Sequence, residues 1–194
     1  MLLRAIPIDI VERIVILTDT NRDYKNICRI VERLKDSQRK ERIIESITKQ
    51  VVDDSGYVYY YLDNKLHREY DKPAVESVKY RMKKWYYNNN LHRENDKPAY
   101  ECEDGTKSWF YNGKRHREND KPAMECGSGT KEWYYNGKRH RENGKPAVEK
   151  ANGTKEWYYK GQLHRENGEP AIEYMNGMKE WWVKGRKIKV SWRC

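Results

Sequence analysis

The stretch KEWYYNGKRHREN, residues 131–143, decides how this chain folds. Aromatic residues lead into an Asn-Gly pair, and basic residues follow it. Asn and Gly adopt a positive φ at little cost, so Asn136-Gly137 predicts a two-residue β-hairpin. Side chains then alternate between the two faces along each strand. The register pairs Tyr135 with Lys138, Tyr134 with Arg139, Trp133 with His140, Glu132 with Arg141 and Lys131 with Glu142.

Close copies of this stretch fill most of the chain. Five histidines lie 25, 24, 24 and 24 residues apart. A proline stands six residues after each histidine, and an aromatic residue stands seven residues before it. A half repeat opens at Trp181, where Ile188 and Lys189 replace the His-Arg pair. This periodicity predicts stacked units with atypical terminal units. We number units 1 to 5 by their histidines, His67, His92, His116, His140 and His164.

Two further turn signals recur in the units. One is a residue pair ending in Gly, such as Asn152-Gly153, which suits a second two-residue hairpin. The other precedes Pro, as at Asn143-Gly144. Three strand reversals in a unit would invert strand direction in the next unit, so we interpret this third signal as a bulge or bend.

The predicted fold is therefore mainly β: a single-layer antiparallel meander with two strands per 24 residues, preceded by a small α-helical domain. The chain has 7 Trp and 16 Tyr but one Phe, and few aliphatic residues after residue 52. That composition suits a thin sheet with two partly wet faces. A triangular coil is the alternative, but it requires an apolar interior that the units do not supply.

The net charge and the spacing of the cysteines limit which partners and which cellular location we expect for the protein. Residues 57–194 hold 29 Lys/Arg and 20 Asp/Glu, a net of +9 out of +10 for the chain. A basic surface favours anionic partners, although interleaved acids dilute the field. The four cysteines form no C-x-x-C, and charged residues interrupt the apolar N-terminal stretch, so we expect free thiols, no signal peptide and no membrane span. The expected location is the cytoplasm.

The repeated His-Arg-Glu run has the residue types of a catalytic site, but a structural role explains it better. A catalytic site needs one distinct arrangement, whereas every candidate here recurs in about five copies. Histidines two strands apart would lie roughly 10 Å from one another, too far to share a metal ion. We therefore expect no enzyme activity, no cofactor and no metal. The predicted partner-binding sheet face comprises Tyr134, Arg139, Arg141, Tyr158 and Arg165.

The units resemble the MORN repeat, on KEWYYNGKRH (131–140) and ANGTKEW (151–157). They depart from it where MORN units place Gly after the histidine, because Arg117, Arg141 and Arg165 stand there. In this they are similar to variant units of large DNA viruses. The resemblance, over about residues 57–192, implies a β-sheet scaffold or binding surface.

Residues 6–36 resemble an F-box, with an Ile-Pro opening, paired aliphatics and a Cys-Arg helix. The aromatic residue that closes many F-boxes is absent. The resemblance implies binding to a Skp-type adaptor of cullin–RING ubiquitin ligases. A third helix is predicted around Ser37–Gln50, burying Ile43, Ile44, Ile47 and Val51. The alternative to adaptor binding is that the whole helical head caps the first edge of the sheet and buries these same apolar residues. The positions implied to bind are Ile6, Pro7, Ile10, Val11, Ile14, Tyr24, Ile27, Cys28 and Val31.

The sequence thus predicts an F-box-like domain over residues 1–52 and a MORN-like domain over residues 57–194. The expected function is a non-enzymatic interaction scaffold that holds a protein partner, as a ubiquitin-ligase substrate adaptor. Two alternatives are a minor capsid or virion-internal protein and a nucleic-acid-binding repeat protein, since Tyr beside Arg can stack on bases. Self-association through the last units is predicted at Trp181, Trp182, Ile188, Val190 and Trp192.

Overall fold

The computed structural model describes residues 37–191. The predicted binding positions between Ile6 and Val31, and Trp192, lie outside the described residues. One helix, α1 (Ser37–Ile47), precedes 22 short strands. The strands are β1 (Lys49–Val52), β2 (Tyr57–Leu62), β3 (Lys65–Leu66), β4 (Val75–Ser77), β5 (Met82–Lys84), β6 (Tyr86–Tyr87), β7 (Asn90–Leu91), β8 (Tyr100–Cys102), β9 (Lys107–Ser108), β10 (Phe110–Tyr111), β11 (Lys114–Arg115), β12 (Met124–Glu125), β13 (Lys131–Glu132), β14 (Tyr134–Tyr135), β15 (Lys138–Arg139), β16 (Val148–Glu149), β17 (Lys155–Glu156), β18 (Tyr158–Tyr159), β19 (Gln162–Leu163), β20 (Ile172–Glu173), β21 (Lys179–Val183) and β22 (Arg186–Ser191).

The strands form one long antiparallel meander. Its sheet has 14 strands in the order β1-β2-β4-β5-β8-β9-β12-β13-β16-β17-β20-β21-β22, with β3 beside β2. Units 2 to 5 each carry a separate two-stranded hairpin, β6-β7, β10-β11, β14-β15 and β18-β19. The prediction of a mainly β meander with two sheet strands per unit is confirmed, whereas the described residues show a single helix and not a helical domain.

The four separate hairpins have the predicted two-residue turns. Asn136 (φ 49°) and Gly137 (φ 82°) are both left-handed, and Tyr134 pairs with Arg139 and Tyr135 with Lys138. Two consecutive left-handed residues twist the turn to match the flanking strands. Each hairpin also bonds to its neighbour: the Gly137 amide donates to the Arg115 carbonyl at 2.9 Å.

The second turn differs from the prediction. The Cys102 amide donates to the Thr106 carbonyl at 3.0 Å, which leaves a three-residue loop in which only Gly105 has a positive φ (85°). This is the turn plus glycine bulge common in three-residue hairpins. In unit 1 the same loop has one residue more, because Ser77 pairs with Met82, and this accounts for the 25-residue first interval.

The third signal is a tight turn and not a strand hairpin. Asn95 (φ 60°) and Asp96 (φ 55°) are both left-handed, and the Lys97 amide donates to the Glu94 carbonyl at 3.3 Å. The flanking strands β7 and β8 do not pair with each other. The predicted bend before Pro is therefore a two-residue left-handed turn that leaves the meander intact.

The predicted third helix ends three residues early. Helix α1 stops at Ile47, and Lys49–Val52 pairs antiparallel with β2 as the first edge strand. Ile43 is buried as predicted, but Val51 is exposed; the side chain of Ile47 lies outside what the structure describes. The β-branched residues at 51 and 52 favour a strand, and tertiary pairing with β2 decides the outcome.

A thin core runs along the sheet. Units 2 to 5 each bury a tryptophan and an alanine, joined where the Trp133 amide donates to the Ala147 carbonyl at 2.8 Å, and unit 1 buries the alanine alone. The alanine leaves room for the indole ring of its neighbour. The repeated members are Trp85, Trp109, Trp133, Trp157, Ala74, Ala99, Ala123, Ala147 and Ala171.

Two predicted cross-strand ion pairs are wrong. Glu132 lies opposite Met124 and Val148, not Arg141, because the chain leaves the ladder after the short hairpin. Lys131 lies opposite Glu125 and Glu149. Lys83, Lys107 and Lys155 also lie between two glutamates, so glutamates and lysines alternate across one face of the sheet from β4 to β21. Opposite charges on adjacent strands favour this register.

Candidate partner-binding surface

The arginine of the His-Arg-Glu run joins consecutive units. Arg141 Nε and Nη2 donate to the two carboxylate oxygens of Asp120, in the turn of the preceding unit, at 2.7 and 3.2 Å. Its Nη1 donates within its own unit, to the Pro146 carbonyl and to Glu149. Lys145 also bonds to Asp120, at 2.6 Å. Two further boundaries carry the same clamp: Asp71 with Arg93 and Lys97, and Asp96 with Arg117 and Lys121.

The same arginine covers the buried tryptophan. The Arg141 guanidinium carbon lies 3.7 Å from the ring centroid of Trp133, and the indole Nε1–H donates to the Asp120 carbonyl at 2.9 Å. The Trp133 ring, the Arg141 guanidinium and the turn at Asp120 therefore contact one another at a single boundary between units. A guanidinium over an indole face adds to the hydrogen-bond energy.

The histidine is held at both ring nitrogens. His116 Nδ1 accepts the Asn136 amide of the next unit at 3.3 Å, which places the proton on Nε2 beside Glu118 at 2.7 Å. Its ring also lies against Tyr135, with centroids 5.1 Å apart. The series ends at His164, whose buried Nδ1 has no partner within the described residues. Histidine, arginine and glutamate thus all serve the architecture.

The clamps predict a defined acid sensitivity. Hydrogen bonds from the arginine, and further from the lysine, lower the pKa of Asp71, Asp96 and Asp120 from 3.8 to about 2. A depressed carboxyl pKa stabilises the fold above the unfolded-state pKa, and this stability is lost as pH falls from about 4 to about 2. The carboxylates are about two-fifths exposed, so each contributes only about 0.5–1 kcal/mol.

We expect the triple Asp71, Asp96 and Asp120→Asn variant to be less stable at neutral pH and to lose less stability between pH 4 and pH 2. Urea unfolding at each pH measures both effects. Glu166→Gln is the control, because Glu166 makes no ion pair in the described part of the chain. Parallel pH profiles for the triple variant and the wild type would contradict the clamp.

A second polar cluster lies at the base of the β14-β15 hairpin. Buried Glu132 accepts hydrogen bonds from Tyr134 OH at 2.7 Å and from Arg139 Nε and Nη2 at 3.1 and 3.2 Å. One unit earlier, Ser108 and Phe110 replace the glutamate and the tyrosine. As a result Arg115 Nε is buried without a partner among the described residues.

This substitution predicts a stabilising variant. Ser108→Glu with Phe110→Tyr copies the neighbouring unit and gives Arg115 Nε an acceptor, so we expect the free energy of unfolding to rise by about 1 kcal/mol. Urea unfolding measures it. Ser108→Ala with Phe110→Tyr is the matched control and should give no gain. A loss of stability in the glutamate variant would show that the cluster cannot be transferred between units.

One row of side chains remains exposed. We name Tyr87, Tyr111, Tyr135 and Tyr159 the tyrosine stripe; they are 53, 56, 55 and 45% exposed. Each ring lies against the histidine of the preceding unit, and Tyr135 also lies against His140 of its own unit. Rigid, exposed aromatic rings provide contact area at little cost in side-chain entropy. Two clefts open along the stripe, about 480 Å³ between units 1 and 2 and about 420 Å³ between units 4 and 5.

The structure divides the predicted sheet-face residues into two sets. Tyr134, Arg139 and Tyr158 lie together, with Arg139 Nη1 3.4 Å from Tyr158 OH. Arg141 and Arg165 instead lie over Trp133 and Trp157. The tyrosine stripe was not among the predicted sheet-face residues, although the Tyr directly before each of these hairpin turns marks it.

The predicted end-association residues lie at the last edge of the sheet. Ile188 and Val190 are exposed on the edge strand β22. The Lys189 ammonium lies over the Trp181 ring, and the Trp182 Nε1–H donates to Glu180 at 2.8 Å. Their role in self-association stays a prediction.

Among residues 37–191, no group of three or more His, Cys, Asp or Glu is placed to hold a metal ion. Cys102 and Cys126 are free thiols. In the same range no helix is both long and apolar enough to cross a membrane.

The described residues define a β-repeat protein built as one antiparallel meander. No protein-family model and no curated protein matches the sequence. The MORN-like and F-box-like resemblances therefore remain predictions.

Proposed function

We propose that the protein is a non-enzymatic scaffold that binds a protein partner along the tyrosine stripe. One observation carries this proposal: the potentially reactive His, Arg and Glu side chains are used between units, whereas one tyrosine per unit is left exposed on a fixed support. Tyrosine is enriched at the energetic centres of protein interfaces. A row of identical rings suits an extended partner that contacts several units.

Capture of a partner by the purified protein tests this proposal. We expect the triple Tyr111, Tyr135 and Tyr159→Ala variant to remain folded, since all three rings are exposed, and to lose the partner. Lys131, Lys155 and Lys179→Ala, on the charged sheet face, is the control and should retain it. Equal capture by both variants would contradict the stripe as the binding surface.

The finer function that we propose is a ubiquitin-ligase substrate adaptor acting in the cytosol. The F-box-like residues would bind a Skp-type adaptor and the sheet would hold the client. Pro7→Ala with Ile10→Ala should abolish co-purification of that adaptor while the stripe still captures its client. Wild-type protein that captures no adaptor would end this proposal without affecting the scaffold.

Two alternatives have their own tests. A virion component requires the protein to be present when purified particles are examined by mass spectrometry. Nucleic-acid binding requires an affinity that falls steeply with salt. The alternation of Glu and Lys across the sheet favours neither a continuous phosphate-binding track nor strong non-specific binding.

A further inference from the structure

The boundary between units 4 and 5 lacks the clamp found at the three preceding boundaries. Gly144 stands where those boundaries have an aspartate, Asp71, Asp96 or Asp120. Gly144 is left-handed like those aspartates, with φ 67°. A Cβ atom placed on it would meet no atom within 4 Å. The turn is therefore preserved, while the carboxylate that it would carry is missing and its space is open.

Arg165 keeps the rest of the arrangement. Its Nη1 donates to the Pro170 carbonyl at 3.2 Å and to Glu173 at 2.8 Å, and its guanidinium carbon lies 3.9 Å from the Trp157 ring centroid. Nε and Nη2 make no hydrogen bond in the described part of the chain. The side chain is 22% exposed, against 12–13% for Arg93, Arg117 and Arg141. One hydrogen-bonding edge of a fixed guanidinium thus faces the 420 Å³ cleft.

We propose that this free edge of Arg165 is a binding site for the side-chain carboxylate of an Asp or Glu on a protein partner. The three intact boundaries show the geometry such a group would adopt, with one oxygen 2.6–2.7 Å from Nε and the other 3.1–3.2 Å from Nη2. A bidentate carboxylate–guanidinium pair is a strong, directional contact. Trp157 and the Nη1 bonds hold the arginine in place before the ligand arrives.

The lining of the cleft selects a carboxylate over a more highly charged anion. Glu169 replaces the lysine that the other boundaries place beside their aspartate. Glu142 and Glu166 also line the cleft. Two other cations line the same cleft, Arg141 and Lys145, and both are already paired with Asp120. The three acids therefore disfavour a dianionic phosphate, because like charges repel in a partly desolvated cleft. They favour an acidic side chain with a basic neighbour on the same partner segment.

This site deepens the proposed scaffold function, because it adds a specificity contact at the end of the tyrosine stripe. Its test uses the full chain with ¹⁵N-labelled arginine and NMR detection of the Nε–H groups. The probe is a capped Gly-Asp-Gly tripeptide, compared with its Gly-Asn-Gly counterpart and with acetate. We expect the Asp peptide to shift the Arg165 signal saturably with a Kd on the order of 1 mM, and the Asn peptide not to.

The repeats supply matched variants. Gly144→Asp restores the internal carboxylate and should reduce the response at least tenfold, while Asp120→Gly should make Arg141 respond as well. Equal responses in wild type and Gly144→Asp, equal responses to the Asp and Asn peptides, or no response would overturn the site. Acetate binding as tightly as the peptide would identify a site for free small carboxylates and overturn the assignment to a protein side chain.

The two proposals fail separately. Partner capture that is lost in the tyrosine-stripe variant but unchanged in Gly144→Asp would remove the Arg165 site and leave the scaffold function standing. Partner capture that is lost in Gly144→Asp but unchanged in the tyrosine-stripe variant would support the Arg165 site and contradict the stripe as the binding surface.

Discussion

Trp133→Ala is expected to lower the free energy of unfolding by about 3–5 kcal/mol. The indole is 6% exposed, and it supports the Arg141 guanidinium and the Asp120 carbonyl of the preceding unit. In a repeat protein stability is close to a sum of unit and nearest-neighbour terms. Removing the ring therefore weakens one unit and the interface before it. Urea unfolding of the full chain, followed by far-ultraviolet circular dichroism, measures the loss.

Two companion variants divide this effect. Trp133→Phe keeps a ring under Arg141 and removes the Nε1–H donor. It should therefore lower the free energy of unfolding measurably, but by less than Trp133→Ala does. Tyr135→Ala removes a large ring from the same hairpin at a 55% exposed position and should change stability by no more than about 0.5 kcal/mol. Equal losses for Trp133→Ala and Tyr135→Ala would contradict the assignment of the core to the tryptophan row.

Local turn chemistry made the meander predictable. Asn136-Gly137 accepts two positive φ angles. An even number of strand reversals in each unit makes neighbouring units point the same way. Both inferences use only the chain's nearest neighbours and its period. The same reasoning could not foresee the extra residue in the Asp104-Gly105 loop, because a two-residue turn and a three-residue loop with a glycine bulge both place Gly at the end.

The polar contacts between residues far apart in the chain could not be predicted from the local strand register. Extending the hairpin register past Trp133 assigned Arg141 to Glu132, whereas the arginine bonds to Glu149 and to Asp120 of the preceding unit. The chain leaves the two-stranded ladder after Arg139, and nothing in a local pattern marks that point. Comparison between units does carry the signal: Asp or Gly in the third turn of one unit covaries with Lys or Glu two residues before the alanine of the following unit.

The first edge of the sheet shows a different limit. Residues 49–52 continue an apolar pattern that suits the end of a helix, but they form β1 because β2 offers a complete row of backbone partners. Helical spacing of four or five apolar residues does not distinguish these outcomes, since pairing with a neighbouring strand overrides a weak helical preference.

Glu132→Ala is expected to cost about 2–3 kcal/mol. The carboxylate is buried and binds Arg139 through both of its oxygens. Removing it leaves Arg139 Nε and Nη2 without acceptors, and an unpaired charge in a desolvated site costs more than the pair itself contributes. The cost stays below that of a fully buried pair because the Arg139 side chain is 36% exposed.

A double-mutant cycle separates the lost pair from the stranded charge. Arg139→Met should recover part of the loss in the Glu132→Ala background, because no charge is then left without a partner. Glu142→Ala, which removes a carboxylate that is 77% exposed and bonded to His140, is the matched control and should cost no more than about 0.5 kcal/mol. Strictly additive losses in the cycle would show that the two side chains are not coupled. The hairpin cluster would then be ordered by the tyrosine hydroxyls alone.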